Sequence, residues 1–245
     1  SINVTQLITV NDTTDPTASN LAPVNVQCAG DVPAANIALV NDEADNCPGA
    51  ITVAHAGDVS DGNSNPEVIT RTYSVTDLAG NSINVTQLIT VNDTTPPTIT
   101  CPTNVTISSN ASCMATGVAL GTPTTADNCG VASTVYSVNG VAITYPYDFP
   151  VGTTTVDILV TDIHNNTSDC SIDVVVTDDE NPALSCPNPA VSYSADSGLC
   201  SAALDFSVTP TDNCDVASTV YSIGGAAISY PYDFPVGTTT VDILV

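Results

Sequence analysis

Residues 1–14, SINVTQLITVNDTT, recur without change as residues 82–95, so whatever this segment folds into must be made twice, a fixed distance apart. A second echo is nearly as strict. Residues 134–160 return as residues 219–245 with four substitutions, at Val138/Ile223, Asn139/Gly224, Val141/Ala226 and Thr144/Ser229. The V-[N/T]-D-x-x-x-P stretches end at Pro16, Pro97 and Pro182, which sets the repeat at 81 and 85 residues. That length exceeds ordinary solenoid periods and suits a small domain with its own core. The expected organisation is a closing strand and linker of a preceding repeat over 1–15, complete domains over 16–96 and 97–181, and a domain lacking its last strand over 182–245.

Gly, Pro, Asn, Asp, Ser and Thr interrupt the chain at short intervals, and no stretch holds an apolar period of 3.6 residues. The chain reads as all-β. Apolar side chains alternate with period two, as in Val156, Ile158 and Val160 or Ile172, Val174 and Val176, in segments rich in Val, Ile and Thr. Several short strands per repeat predict a seven-stranded Greek-key sandwich. In the opening segment Ile2, Val4, Ile8 and Val10 share a phase that also contains Gln6, which predicts a β-bulge at that glutamine.

Arg71 is the only strong cation against 26 acidic residues, and the formal net charge is −25. Such a chain is repelled by nucleic acid and by anionic membrane surfaces, and nothing in it inserts directly into a bilayer. The absence of lysine also excludes internal Lys–Asn isopeptide crosslinks. All the acids except Glu43, Glu67 and Glu180 are aspartates. Aspartate favours turns, and it also supplies the oxygen ligands of a hard cation such as calcium; both readings stand.

Nine cysteines in small β domains point to an oxidising, extracellular compartment. Two fall in the first repeat (Cys28, Cys47), four in the second (Cys101, Cys113, Cys129, Cys170) and three in the third (Cys186, Cys200, Cys214). Taking Cys28 and Cys47 as the equivalents of Cys101 and Cys129, a loss of cysteines by pairs predicts bridges Cys28–Cys47, Cys101–Cys129, Cys113–Cys170 and Cys186–Cys214. Cys200 is then left unpaired, because the equivalent of Cys170 would fall beyond Val245. Zinc is a weak competitor: there is no CxxC, and His55 and His164 lie in different repeats.

The succession Cys101-Pro102, Cys113, ADNCG (126–130), FPVGTTTV (149–156), Thr161-Asp162 and DCSIDVVVTDDENP (169–182) resembles the hyalin repeat, HYR. The third repeat follows it through Cys186-Pro187, TDNC (211–214) and FPVGTTTV (234–241); the first keeps only ADNC (44–47) and TDLAGN (76–81). The resemblance implies immunoglobulin-like or fibronectin-III-like β-sandwiches, arranged in tandem as an elongated rod in large extracellular, often adhesive, proteins, with no enzymatic activity. In such sandwiches the incoming linker meets the B–C and F–G loops at one pole. That groups Asp12, Asp45 and Asp77 at the first junction, Asp93, Asp127 and Asp162 at the second, and Asp178, Asp179 and Asp212 at the third, as candidate calcium ligands.

Catalysis has no recognisable constellation, since the histidines are isolated and no G-x-S-x-G occurs. Tyr145, Tyr147 and Phe149, repeated as Tyr230, Tyr232 and Phe234, suit either a sugar-stacking surface or core packing, and packing is the commoner fate. Sequons make Asn3, Asn84, Asn104 and Asn110 glycosylation candidates, and the D-T-T stretches add Thr13 and Thr94 for O-linked sugars. The expected role is a stalk or filament segment of a secreted surface protein that displays a distal binding region. Its partners are neighbouring repeats or copies of itself, with surface glycans or other cells as further targets. Two alternatives are a subunit polymerising head-to-tail by donating strand 1–12 and a carbohydrate-binding module.

Overall fold

The computed structural model of the chain describes residues 1–186, 192–205 and 207–245. It is all-β, with two single-turn 3-10 segments and no α-helix among the described residues. No helix there is long and apolar enough to cross a membrane. In chain order the first strands are β1 (Val24–Val26), β2 (Thr52–Ser60), β3 (Glu67–Thr76) and β4 (Ser82–Val91), which form a sheet in the order β1-β4-β3-β2. There follow β5 (Thr98–Thr100), β6 (Val105–Ser108), β7 (Met114–Val118), β8 (Thr124–Ala126), β9 (Val131–Val138), β10 (Val141–Ile143), β11 (Tyr147–Pro150), β12 (Gly152–Asp162) and β13 (Thr167–Thr177). These make a five-stranded sheet β10-β9-β12-β13-β6 and the pairs β11-β7 and β5-β8. The last strands, β14 (Ser201–Leu204), β15 (Val220–Ile223), β16 (Ala226–Ile228), β17 (Tyr232–Pro235) and β18 (Asp242–Leu244), make the pair β14-β17 and the sheet β16-β15-β18.

Contacts divide the chain into two compact units, one of Ser1–Thr100, Pro123–Val135 and Leu159–Cys170, the other of Cys101–Thr122, Tyr136–Ile158 and Ser171–Val245. The first unit holds a core of Val40, Tyr73, Val75 and Val85. Arg71, only 4 % exposed, lies on β3 and spends its guanidinium on Asp58 (Nε to Oδ1 2.9 Å, Nη2 to Oδ2 2.8 Å) and the Pro33 carbonyl. Opposite it on β4 is Gln87, and the β3–β4 register runs through this pair without a break. The bulge expected at Gln6 is thus absent at its copy, Gln87. Gln87 is buried because its amide donates to the Ala22 carbonyl, which satisfies a polar group on an otherwise apolar face. The bulge in this sheet falls instead between His55 and Gly57 on β2.

The second unit packs Ala115, Val118, Phe149, Val156, Ile172, Val174 and Val176. The alternation read from the sequence sorts these side chains: Val156, Ile158 and Val160 on β12 are wholly buried, and Leu159 between them is exposed. The β6–β13 pair is parallel, as is β1–β4, so the early strand of a repeat lies beside its closing strand and must reach it by crossing from elsewhere in the fold. Phe149 is fully buried and Tyr145 stacks edge-on against Tyr136 at 4.7 Å, so these aromatics are packing groups here. Burial pushes the Tyr145 hydroxyl up from its ordinary value.

Residues 1–16 belong to no strand, although 1–14 repeat the sequence of β4. Ile2, Val4, Leu7, Ile8 and Val10 are 75–94 % exposed, whereas Val85, Ile89 and Val91 in the copy are at most 2 % exposed. The sequence is the same and only the presence of a neighbouring strand differs.

Candidate junction site

The motif Asp-Asn-Cys explains itself locally. Asp127 turns its carboxylate back so that Oδ1 accepts from the backbone N–H of Cys129 and of Gly130, both at 2.8 Å. This Asx turn leaves Asn128 pointing away, and its amide lies within 3.3 Å of Gln27 Oε1, Cys28 Sγ and Asp93 Oδ1 and 3.1 Å from Cys129 Sγ. The same turn recurs where Asp45 Oδ2 accepts from Cys47 N (3.0 Å) and where Asp212 Oδ1 accepts from Cys214 N (2.8 Å). The second motif, Thr-Asp-x-x-x-Asn, is also a turn: Asp162 Oδ1 accepts from His164 N and Asn166 N, and Asp77 Oδ1 from Gly80 N and Asn81 N.

The linker brings Asp93 to these two turns. Asn65 holds its backbone, accepting from Asp93 N and donating to Asp93 O. Its carboxylate accepts from Thr95 N (3.1 Å) and approaches His164 Nδ1 (3.1 Å). Burial opposes the charge of Asp93, but donation from Thr95, His164 and Asn128 outweighs it and holds the carboxyl below its ordinary value. Asp93, Asp127 and Asp162 thus present carboxylate oxygens within 4.8 Å of one another, and Asp93 and Asp162 are each only 1 % exposed. Asp127 Oδ2 is buried with no hydrogen-bond partner, and so is Asp45 Oδ1 at the sister position.

At the other two junctions the structure assembles smaller sets. Asp12 and Asp45 converge with Cys47, and Asp178 and Asp212 with Cys214. Asp77 is committed to its own turn, and Asn81, which donates to it, also reaches the Asp12 carbonyl. Asp179 accepts from Ser108 Oγ at 2.7 Å. Asp93, Cys129 and His164 also form a set with the spacing of metal ligands, but Cys129 is oxidised, so its sulfur is no thiolate ligand. Of the sugar-acceptor candidates Asn3, Asn84, Asn104, Thr13 and Thr94 are exposed; Asn110 is half-buried, and its amide donates to Thr116 Oγ1.

The bridges differ from the sequence expectation. Cys28 pairs with Cys129 and Cys113 with Cys214, each across 101 residues. Cys101 and Cys170 are disulfide-bonded as well, and Cys47, Cys186 and Cys200 are free thiols. This excludes Cys28–Cys47, Cys101–Cys129, Cys113–Cys170 and Cys186–Cys214. The physical reason is that Cys28 is the counterpart of Cys113, not of Cys101: both lie 101 residues before the cysteine of an Asp-Asn-Cys turn in the following repeat. Bridges were expected to close loops inside one repeat, whereas these two join a repeat to the next. The signal that points to them is position within the repeat: Cys28 lies 12 residues after Pro16, nearer to the 16 that separate Cys113 from Pro97 than to the 4 that separate Cys101 from it.

Residues 92–176 match the family model described as the HYR domain. Comparison with curated proteins gives no significant match. Among solved structures, the chain is similar to human CDH23 EC21-23, at 14 % identity and a TM-score of 0.34, covering 93 % of this chain and 91 % of that one. It is also similar to Drosophila N-cadherin EC1-4, at 10 % identity and a TM-score of 0.35, covering 88 % and 64 %.

Proposed function

We propose that this chain, with an HYR domain over residues 92–176, is an extracellular adhesion-type repeat module that serves as a stalk or filament segment, holding a distal binding region away from its anchor. The observation that carries this reading is the pair of bridges Cys28–Cys129 and Cys113–Cys214, each fastening one repeat to the next at the same spacing. Covalent fastening at each step is what a member under tension needs, and it serves no catalytic purpose. The aromatics that suited a sugar platform are spent on packing, with Phe149 fully buried, which favours the structural role over a carbohydrate module.

Calcium at the second junction belongs to the same proposal. Three carboxylates within 4.8 Å carry more negative charge than His164 can offset, and the orphaned Asp127 Oδ2 offers a further oxygen to a hard cation. Asp93, Asp127 and Asp162 would hold the ion, which would tie the linker to both turns. The stalk reading is tested in the producing cell by deleting this segment from the protein that carries it and imaging a label at the distal end. The label should stay at the surface but sit closer to it; an unchanged height would overturn the reading.

A further inference from the structure

We propose that the Cys28–Cys129 bridge masks a zinc site: once the bridge is reduced, its two thiolates, His164 and Asp93 take up one Zn²⁺ between them. The inference goes beyond the stalk reading. It shares only Asp93 with the calcium reading and does not depend on it.

The donors are of the kinds zinc prefers, and they already lie together. Asp93, Cys129 and His164 each offer a ligand atom within 4.8 Å of one another, and His164 Nδ1 is 3.1 Å from Asp93 Oδ2. The fourth donor, Cys28 Sγ, is bonded to Cys129 Sγ. A tetrahedral zinc holding two sulfurs, a nitrogen and an oxygen needs its donors about 3.3–3.8 Å apart. The freed sulfurs must therefore part by turning their side chains, and the other donors need move by only about an ångström. All four residues fall in the first compact unit, although they come from well-separated stretches of the chain.

His164 is the residue that the fold itself does not require. It occupies the place in its turn that Ala79 holds in the sister turn. Both turns are closed alike, since Asn81 and Asn166 each donate a backbone N–H to Oδ1 and a side-chain amide to Oδ2 of their aspartate. A methyl group suffices at that place. The imidazole instead turns inward, its side chain 11 % exposed against the fully buried carboxylate of Asp93. At the Cys113–Cys214 bridge the corresponding cluster is Asp178, Asp212 and Cys214, without an imidazole.

The surroundings suit thiolates. Asn128 Nδ2 lies 3.3 Å from Cys28 Sγ, 3.1 Å from Cys129 Sγ and 3.3 Å from Asp93 Oδ1, so one amide can donate to three members of the set. Thr95 N also donates to Asp93 Oδ1, which leaves Oδ2 for the metal. Donors of this outer kind fix the orientation of metal ligands. Cys28 and Cys129 are half-buried, within reach of a small reductant.

The reductant is a water-soluble phosphine. Its phosphorus attacks one sulfur, the S–S bond breaks, and the other sulfur leaves as a thiolate. Water then displaces the first sulfur from phosphorus, so the phosphine departs as its oxide and both cysteines gain a proton. Zinc displaces those two protons when it binds. The ion then ties the segments that the bridge had tied, and the junction stays fastened after the covalent link is cut.

The test is a zinc titration of the purified 245-residue chain, oxidised and phosphine-reduced under argon, read by competition with a chromophoric chelator and with Co²⁺ as a spectroscopic stand-in. One tight equivalent should appear on reduction, Co²⁺ should then show the charge-transfer band of thiolate ligation, and zinc should raise the melting temperature of the reduced chain. Cys28→Ser, Cys129→Ser and His164→Ala should each weaken that equivalent by more than the roughly 10–100-fold that loss of an outer partner costs, and Cys214→Ser should leave it intact. A reduced chain that takes up no zinc, whether folded or not, would overturn the inference. So would equal uptake by the oxidised chain, or uptake that survives His164→Ala. Calcium binding by the oxidised chain is a separate measurement, and its failure leaves the zinc site standing.

Discussion

Asp58 is held as a carboxylate by the one strong cation in the sequence: the Arg71 guanidinium, and then His55, keep its pKa at about 2 instead of the usual 3.8, against the cost of burial. A depressed carboxyl stabilises the fold above its unfolded value and loses that effect as pH falls through the folded value. The contribution is therefore complete above about pH 4 and disappears between about pH 4 and pH 2. Urea midpoints measured from pH 5 to pH 2 should fall less steeply for Arg71→Met than for the native chain; parallel curves would contradict this account. Gln87 gives a second prediction at this scale. Gln87→Ala removes the donor to the Ala22 carbonyl inside the sheet and should cost about 1–3 kcal/mol in denaturant unfolding. A period-two count finds this residue on the apolar face but cannot find its partner, because Ala22 lies 65 residues away in a segment with no strand pattern of its own.

Elements were more legible than their partners. The faces of β12 and β13 follow directly from alternation, because a strand buried on one side must place every second residue there. The Asp-Asn-Cys and Thr-Asp-x-x-x-Asn turns were legible as turns, since a short carboxylate reaching back to the backbone is a local event. Alternation alone could not show that one sequence would occupy two states: β4 is a strand, and residues 1–14 are not. Pairing is a property of neighbours, so mutation should separate the copies. Ile89→Ala should cost about 2–5 kcal/mol, as expected for a fully buried aliphatic, whereas Ile8→Ala should stay within about 0.5 kcal/mol. Equal effects from the two substitutions would mean that the first segment is docked after all.

At the scale of the whole molecule the sequence announced an acidic, cysteine-rich repeat array, and an HYR domain stands at residues 92–176. The pairing of cysteines differs from the expectation because closure within a repeat is the default for a small domain, and only the distance of Cys28 from its repeat proline, close to that of Cys113 and unlike that of Cys101, points to the alternative. Replacing Cys28 and Cys129 together with Ser should lower stability by about 3–5 kcal/mol, since each bridge closes a long loop. Calcium makes a separate demand. Chelation should lower the melting temperature of the native chain and leave Asp127→Asn unchanged; equal melting curves with and without chelator would remove the cation from the account.

The two bridged loops overlap, because Cys113 lies inside the span closed by Cys28 and Cys129, and Cys129 lies inside the span closed by Cys113 and Cys214. Pulled by its ends, the chain therefore has a shortcut: from Cys28 across sulfur to Cys129, back along the backbone to Cys113, and across sulfur again to Cys214. Sixteen residues of backbone are all that this route contains, so however completely the domains unravel, Cys28 and Cys214 can separate by only about 60 Å at roughly 3.5 Å per residue. The oxidised molecule is a tether with a built-in stop: it can yield and absorb a jolt, then goes taut long before its length is spent.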